Sequence, residues 1–119
     1  MKRILPILIL AALAFSGCGH KPVEYKESNE GENLIENSRA FVEKTIKDAK
    51  HYNAEDWQKS LEQFQHMCKD FRANGWHYFE KDRMVLDHLR LDYLEAVATN
   101  GDEELVSQAK QIYIDVMTN

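Results

Sequence analysis

Trp57, Leu61, Phe64, Cys68 and Phe71 follow one another at steps of four, three, four and three residues. At about 100° per residue this spacing puts all of them on one side of a helix, whereas a strand would scatter them over two faces. Asn53 precedes the stripe as a candidate cap, and Glu55 and Asp56 suit the positive first turn of a helix. Asn74-Gly75 ends it. The same period governs the chain on either side. Leu34, Phe41, Val42, Thr45, Ala49 and Tyr52 share one side of residues 34–52, with Glu36, Glu43, Lys47 and Lys50 on the other. A third helix is expected from about 79–82 to Thr99, with Leu86, Leu89, Tyr93, Ala96 and Val97 inward and Met84 and Leu91 on the far side. After Asn100-Gly101, Asp102 caps a fourth segment that turns Leu105, Val106, Ala109, Ile112, Tyr113 and Val116 inward. No strand pattern competes. The predicted fold is all-α: one domain over residues 34–119, an antiparallel bundle of three to four helices with short links.

The amino terminus follows a different logic. Lys2 and Arg3 precede an uncharged, apolar run over residues 4–15, which at 12 residues falls short of the roughly 20 needed to cross a bilayer. It reads as a signal peptide over residues 1–17. Phe15-Ser16-Gly17-Cys18 resembles the lipobox of bacterial lipoproteins, with Phe15 where that family most often has leucine. The resemblance implies a diacylglycerol on the Cys18 thiol, cleavage just before it, and acylation of the freed amine. Gly19 stands where an aspartate would favour inner-membrane retention, so the expected location is the outer membrane. The competing readings are a secreted protein cut elsewhere and an uncleaved hydrophobic tail.

Residues 19–33, GHKPVEYKESNEGEN, carry one proline, two glycines and many charges without an apolar period. They are expected to form, with Cys18, a flexible tether over residues 18–33, about 20 Å in r.m.s. span and near 50 Å when stretched. Loss of Lys2 and Arg3 leaves 13 of the 15 basic residues against 20 acidic ones, a balance of −7. An acidic body argues against nucleic acid as a partner and gives little attraction to anionic lipid, so acyl chains must do the holding, at about 0.8 kcal/mol per buried methylene. Cys68 is then the one thiol besides Cys18, and its place in the apolar stripe favours a buried small hydrophobe over a reactive group.

The lipobox, the acidic tether, AEDWQKSLEQF at 54–64 and LRLDY at 89–93 together resemble the small helical-bundle lipoproteins of Bacteroidota, a domain of unknown function. That resemblance implies a three-helix bundle, to which the segment after Asp102 is an addition.

Candidate chemistry is sparse. Glu62, His66 and Asp70 lie four apart on the face opposite Trp57, where a metal would need further ligands from another element and solvation is the simpler account. The paired Glu-x-x-His of di-iron bundles and the Cys-x-x-Cys-His of attached haem are both missing. His88 precedes Asp92 by four, and Gly75 separates His77 from their helix. No serine sits in a glycine elbow, and His66 and Cys68 point apart on a helix. Neither catalytic residues, a metal nor a cofactor is expected.

The most unusual string is GWHYF at 75–79, successive rings at a helix junction. Trp76, Tyr78 and Phe79 cannot all bury in one direction, and stiff aromatic surface suits contact with a partner. Met84 and Leu91 offer a second contact face. The expected function is a non-enzymatic interaction or structural module, a lipoprotein of the cell envelope held in the membrane through Cys18. The alternative is a carrier of a metal, haem or small hydrophobic ligand. On the lipoprotein reading, Cys18→Ser abolishes incorporation of radiolabelled fatty acid in cells; labelling equal to that of the unaltered chain removes the anchor.

Overall fold

The helix boundaries follow local chemistry that the sequence carries openly. Asn53 and Asp56 form a capping box: the Asn53 side chain accepts from the Asp56 N–H at 2.8 Å, and the Asp56 carboxylate accepts from the Asn53 N–H at 3.1 Å. Asp102 likewise accepts from the Leu105 N–H at 2.9 Å. In the computed structural model, which describes residues 21–118 and side chains through Val116, four α-helices result. They are α1 (Leu34–Asp48), α2 (Ala54–Asn74), α3 (Glu80–Asn100) and α4 (Glu103–Thr118), with 3-10 turns at Ala49–His51 and Gly75–His77. Among the described residues, no helix is long and apolar enough to cross a membrane. The signal segment and Cys18 lie outside the described residues.

Consecutive helices run antiparallel, yet the closest pairs are α1 with α3 and α2 with α4. Each of these pairs is parallel. Phe41 of α1 stacks on Tyr93 of α3, and Ile46 lies beside Ala96 and Thr99. Gln58 of α2 meets Gln108 of α4, and Arg72 reaches the Val116 carbonyl. The consecutive helices α2 and α3 therefore face each other across the diagonal, where bulky side chains fill the gap. Phe64 and Tyr93 stack at 4.1 Å between centroids and 11° between planes, and Phe41 covers the other side of Tyr93 at 5.6 Å. The Tyr93 hydroxyl, buried with its ring, is paired with the Ser60 hydroxyl at 2.8 Å.

One departure from the sequence reading changes the architecture. Residues 21–33, expected to be part of a flexible tether, lie along α2 as an extended strap. Val23 packs on the core and Tyr25 belongs to it, meeting the Phe41 ring edge-on at 6.2 Å. Glu24 and Lys26 between and after them face solvent. This period-two alternation is that of a strand with one buried face, so Val23 and Tyr25 enter the core without a helical repeat. The Tyr25 N–H donates to Gln63 Oε1 at 2.8 Å. At the far end the strap reverses through Glu30, Gly31 and Asn33, all at positive φ, and runs into α1.

The ring stack sets the expected energetics. Phe64→Ala leaves a cavity between Tyr93 and α2 and should cost about 3–5 kcal/mol in a denaturant titration, while Tyr93→Phe, which strands the buried Ser60 hydroxyl, should cost about 1–3 kcal/mol.

Candidate functional site

Asp70 sits on the inner edge of α2, buried beneath the strap. Its Oδ2 accepts from the Tyr25 hydroxyl and from the Ser28 N–H, each at 2.7 Å. Its Oδ1 accepts from the Ser28 hydroxyl and from the Asn74 amide, again at 2.7 Å. Burial alone would push this carboxyl up, but the Ser28 N–H, the two hydroxyls and the Asn74 amide outweigh it and hold the carboxyl below its ordinary value. Conversely, burial, followed by the neighbouring Asp70, pushes the Tyr25 phenol well up. The proton stays on Tyr25 and the charge on Asp70.

The same network builds the aromatic corner. The Ser28 hydroxyl also accepts from the Gly31 N–H at 3.1 Å, which tightens the strap's turn. Gly31, at φ 92°, brings bare backbone against α2's end: a Cβ there would stand 3.3 Å from the His77 ring and 3.4 Å from Asn74. Its carbonyl accepts a hydrogen bond from the Tyr78 hydroxyl. Tyr78 is thereby turned inward and half-buried, and its neighbours are turned out. Trp76 is 69% exposed and Phe79 84% exposed. Trp76 is nonetheless fixed, because its indole N–H donates to the Ala73 carbonyl at 3.0 Å and its ring lies 3.8 Å from that of His77.

The outer face of α3 leads away from this corner. Met84 is 64% and Leu91 45% exposed, seven residues and two turns apart on one side of the helix. Met84 forms a ridge between two open grooves. One, of about 540 Å³, is lined by Lys81, Met84, Val85, His88, Leu89 and Asp92. The other, of about 250 Å³, is lined by Phe71, Glu80, Arg83, Met84, Asp87 and Arg90. Of the five contact residues read from the sequence, four are largely exposed, and Tyr78 instead positions the corner.

The remaining candidates separate. Asp70 turns away from solvent, where the sequence reading placed it with Glu62 and His66; both its oxygens are taken by strap and helix donors. His66 approaches Glu27 of the strap at 3.8 Å, and Glu62 is exposed. Among the described residues, no cluster of three or more His, Cys, Asp or Glu is arranged to hold a metal. His77 stacks in the corner while His88 lines the α3 groove. Cys68 is fully buried, and burial pushes its thiol up to about 12, so at neutral pH it is protonated.

Sequence reasoning missed Arg90. Only 1% of it is exposed, with its guanidinium 4.1 Å from the centroid of Phe71 and 5.0 Å from that of Tyr113, and with Asp87 bound at 2.7 Å. Asp87 also accepts from the Tyr113 hydroxyl at 3.1 Å. Its position between Leu89 and Leu91 in a helix with apolar residues on every side was the available signal. Compared with protein-family models, curated proteins and solved structures, the chain matches none.

A carboxyl held low when folded adds stability that is complete above its unfolded value, near 3.9, and is lost as pH falls through the lower folded value. Asp70→Asn should therefore cost about 1–3 kcal/mol at neutral pH. That deficit should shrink below about pH 4, as urea midpoints across the acid range will measure.

Proposed function

We propose that this chain is a non-enzymatic docking module of the cell envelope, held in the outer membrane by acyl chains on Cys18. It engages a protein partner through the corner of Trp76 and Phe79 and the adjoining face of Met84 and Leu91. One observation carries the docking half of this reading. The interior is filled across its diagonal by Phe41, Tyr93 and Phe64, yet large apolar side chains are held outward at one junction and along the helix that starts there. Exposed Trp and Phe on rigid backbone present area at small entropic cost, which is the composition of interface anchors. Single exposed residues such as Ile46 need no such account.

The anchor half rests on the sequence of residues 1–18 and on their resemblance to the lipobox. The acidic balance offers no electrostatic alternative at an anionic bilayer, so on this reading the lipid chains alone do the holding. A carrier of haem, metal or a small apolar molecule would use space between helices, and the stacked rings occupy the diagonal where such a ligand would sit.

Photo-crosslinking in cells tests the docking face. A crosslinker at Phe79 or Met84 should yield one common protein adduct, and one at the exposed Glu43 of α1 should not. Trp76→Ala combined with Phe79→Ala should lower that adduct about tenfold or more, in line with the loss of anchors each worth over 1 kcal/mol, with helical content unchanged. Equal adducts from all three positions would remove the docking face.

A further inference from the structure

We propose that the strap sets the placement of the bundle on its bilayer. The end carrying the α1–α2 and α3–α4 turns is held against the lipid headgroups, and the aromatic corner stands at the opposite, outward end. The inference rests on the acyl anchor at Cys18 proposed above and adds to it an orientation and a distance.

The register of the strap carries the argument. Lys21 lies 3.5 Å from Asp56 in the first turn of α2. Tyr25 binds Gln63 through its backbone and Asp70 through its hydroxyl, and Ser28 binds Asp70. Gly31 then meets Asn74 and accepts from Tyr78. Strap and helix thus run side by side in the same direction along nearly the whole length of α2. The lengths agree. Eight extended steps from Lys21 to Asn29 cover about 27 Å before the chain turns at Glu30 and Gly31, and α2 from Asp56 to Asn74 covers about 27 Å. No slack remains between Lys21 and the corner.

Only Gly19 and His20 separate Cys18 from Lys21. Three Cα steps reach about 11 Å at most, against near 50 Å if all of residues 19–33 were a free tether. The acylated residue therefore cannot be far from the base of the bundle, which exposes Lys47, Lys50, Asn53, Glu55, Asp102, Glu103 and Glu104. Four acids face two lysines there, so charge does not draw the base onto an anionic surface and the acyl chains have to hold it. The body as a whole carries the negative balance, and anionic headgroups repel it, which opposes lying flat. Trp57 marks the base end, in the first turn of α2, and Trp76 lies about 28 Å farther along the helix direction.

The two tryptophans make the test direct. The processed protein, purified from host membranes in detergent, is reconstituted into phosphatidylethanolamine–phosphatidylglycerol vesicles containing a headgroup-labelled dansyl lipid. Vesicle flotation is measured first, then energy transfer from Trp57 alone (Trp76→Phe) and from Trp76 alone (Trp57→Phe). Transfer from Trp57 should exceed that from Trp76 about fivefold or more, given an added separation of about 28 Å. Inserting fifteen Gly/Ser residues between His20 and Lys21 should erase most of the difference. Neutron reflectometry of the unsubstituted protein on a supported bilayer, which needs no core variant, should show no hydrated gap wider than about 11 Å beneath the protein layer. Flotation with equal transfer, or with Trp76 the stronger donor, overturns the placement and leaves the anchor standing. Failure to float overturns the anchor and the placement with it.

Discussion

A buried carboxylate must find donors, and the donors Asp70 finds determine how the strap of residues 21–33 is laid down. An ion without partners in this position would cost several kcal/mol. Three of its four hydrogen bonds come from two strap residues, Tyr25 and Ser28, and the fourth from Asn74 one turn along α2. Because Ser28 contributes both its N–H and its hydroxyl, a slip of the strap by one residue would break the pair. Fixing Ser28 fixes Gly31, and Gly31 supplies the carbonyl that turns Tyr78 inward. The outward aim of Trp76 and Phe79 is thus downstream of a charge they never touch.

The second constraint is geometric. With α1 nearest α3 and α2 nearest α4, α2 and α3 face each other across the diagonal, where large flat groups fill the space. Tyr93 spans it by stacking between Phe41 and Phe64, and Arg90 spans it one turn earlier by laying its guanidinium over Phe71. Both solutions use flat groups that tolerate close approach face to face, and each brings a polar end that needs a partner. Ser60 serves Tyr93, while Asp87 serves Arg90 and Tyr113 together. Desolvated cation–π contacts of this kind are worth about 2 kcal/mol, which helps offset the burial of a charged side chain.

How much of this was legible follows from what each feature writes into the sequence. The four helices were, because apolar residues at steps of three and four have few other uses and because Asn53, Gly75, Gly101 and Asp102 punctuate them. The corner was legible as an anomaly, since successive rings cannot share a face; that Tyr78 would be the one turned in required knowing where Gly31 lies. The strap was not legible, because Val23 and Tyr25 are only two apolar residues in a charged run and their alternation is too short to count as a pattern. Asp70 was hidden for the opposite reason. It continues a regular row with Glu62 and His66, and nothing in that row says that one end is roofed by a distant segment. Arg90 was masked by composition: its helix is apolar on every side, so the buried face could not be distinguished well enough to notice a charge on it.

A docked strap exchanges reach for position. A free segment of this length would let the bundle sample a shell tens of ångströms deep, diluting any surface it presents. With residues 21–33 held against α2, that freedom is gone, and the hydrogen bonds of Asp70 offset the chain entropy given up. If the proposed anchor and docking corner hold, the gain is in effective concentration at a fixed height rather than in contact area. On the proposed anchoring, a pull on Cys18 would load the Lys21–Asp56 and Tyr25–Gln63 contacts first and the Ser28–Asp70 pair after them.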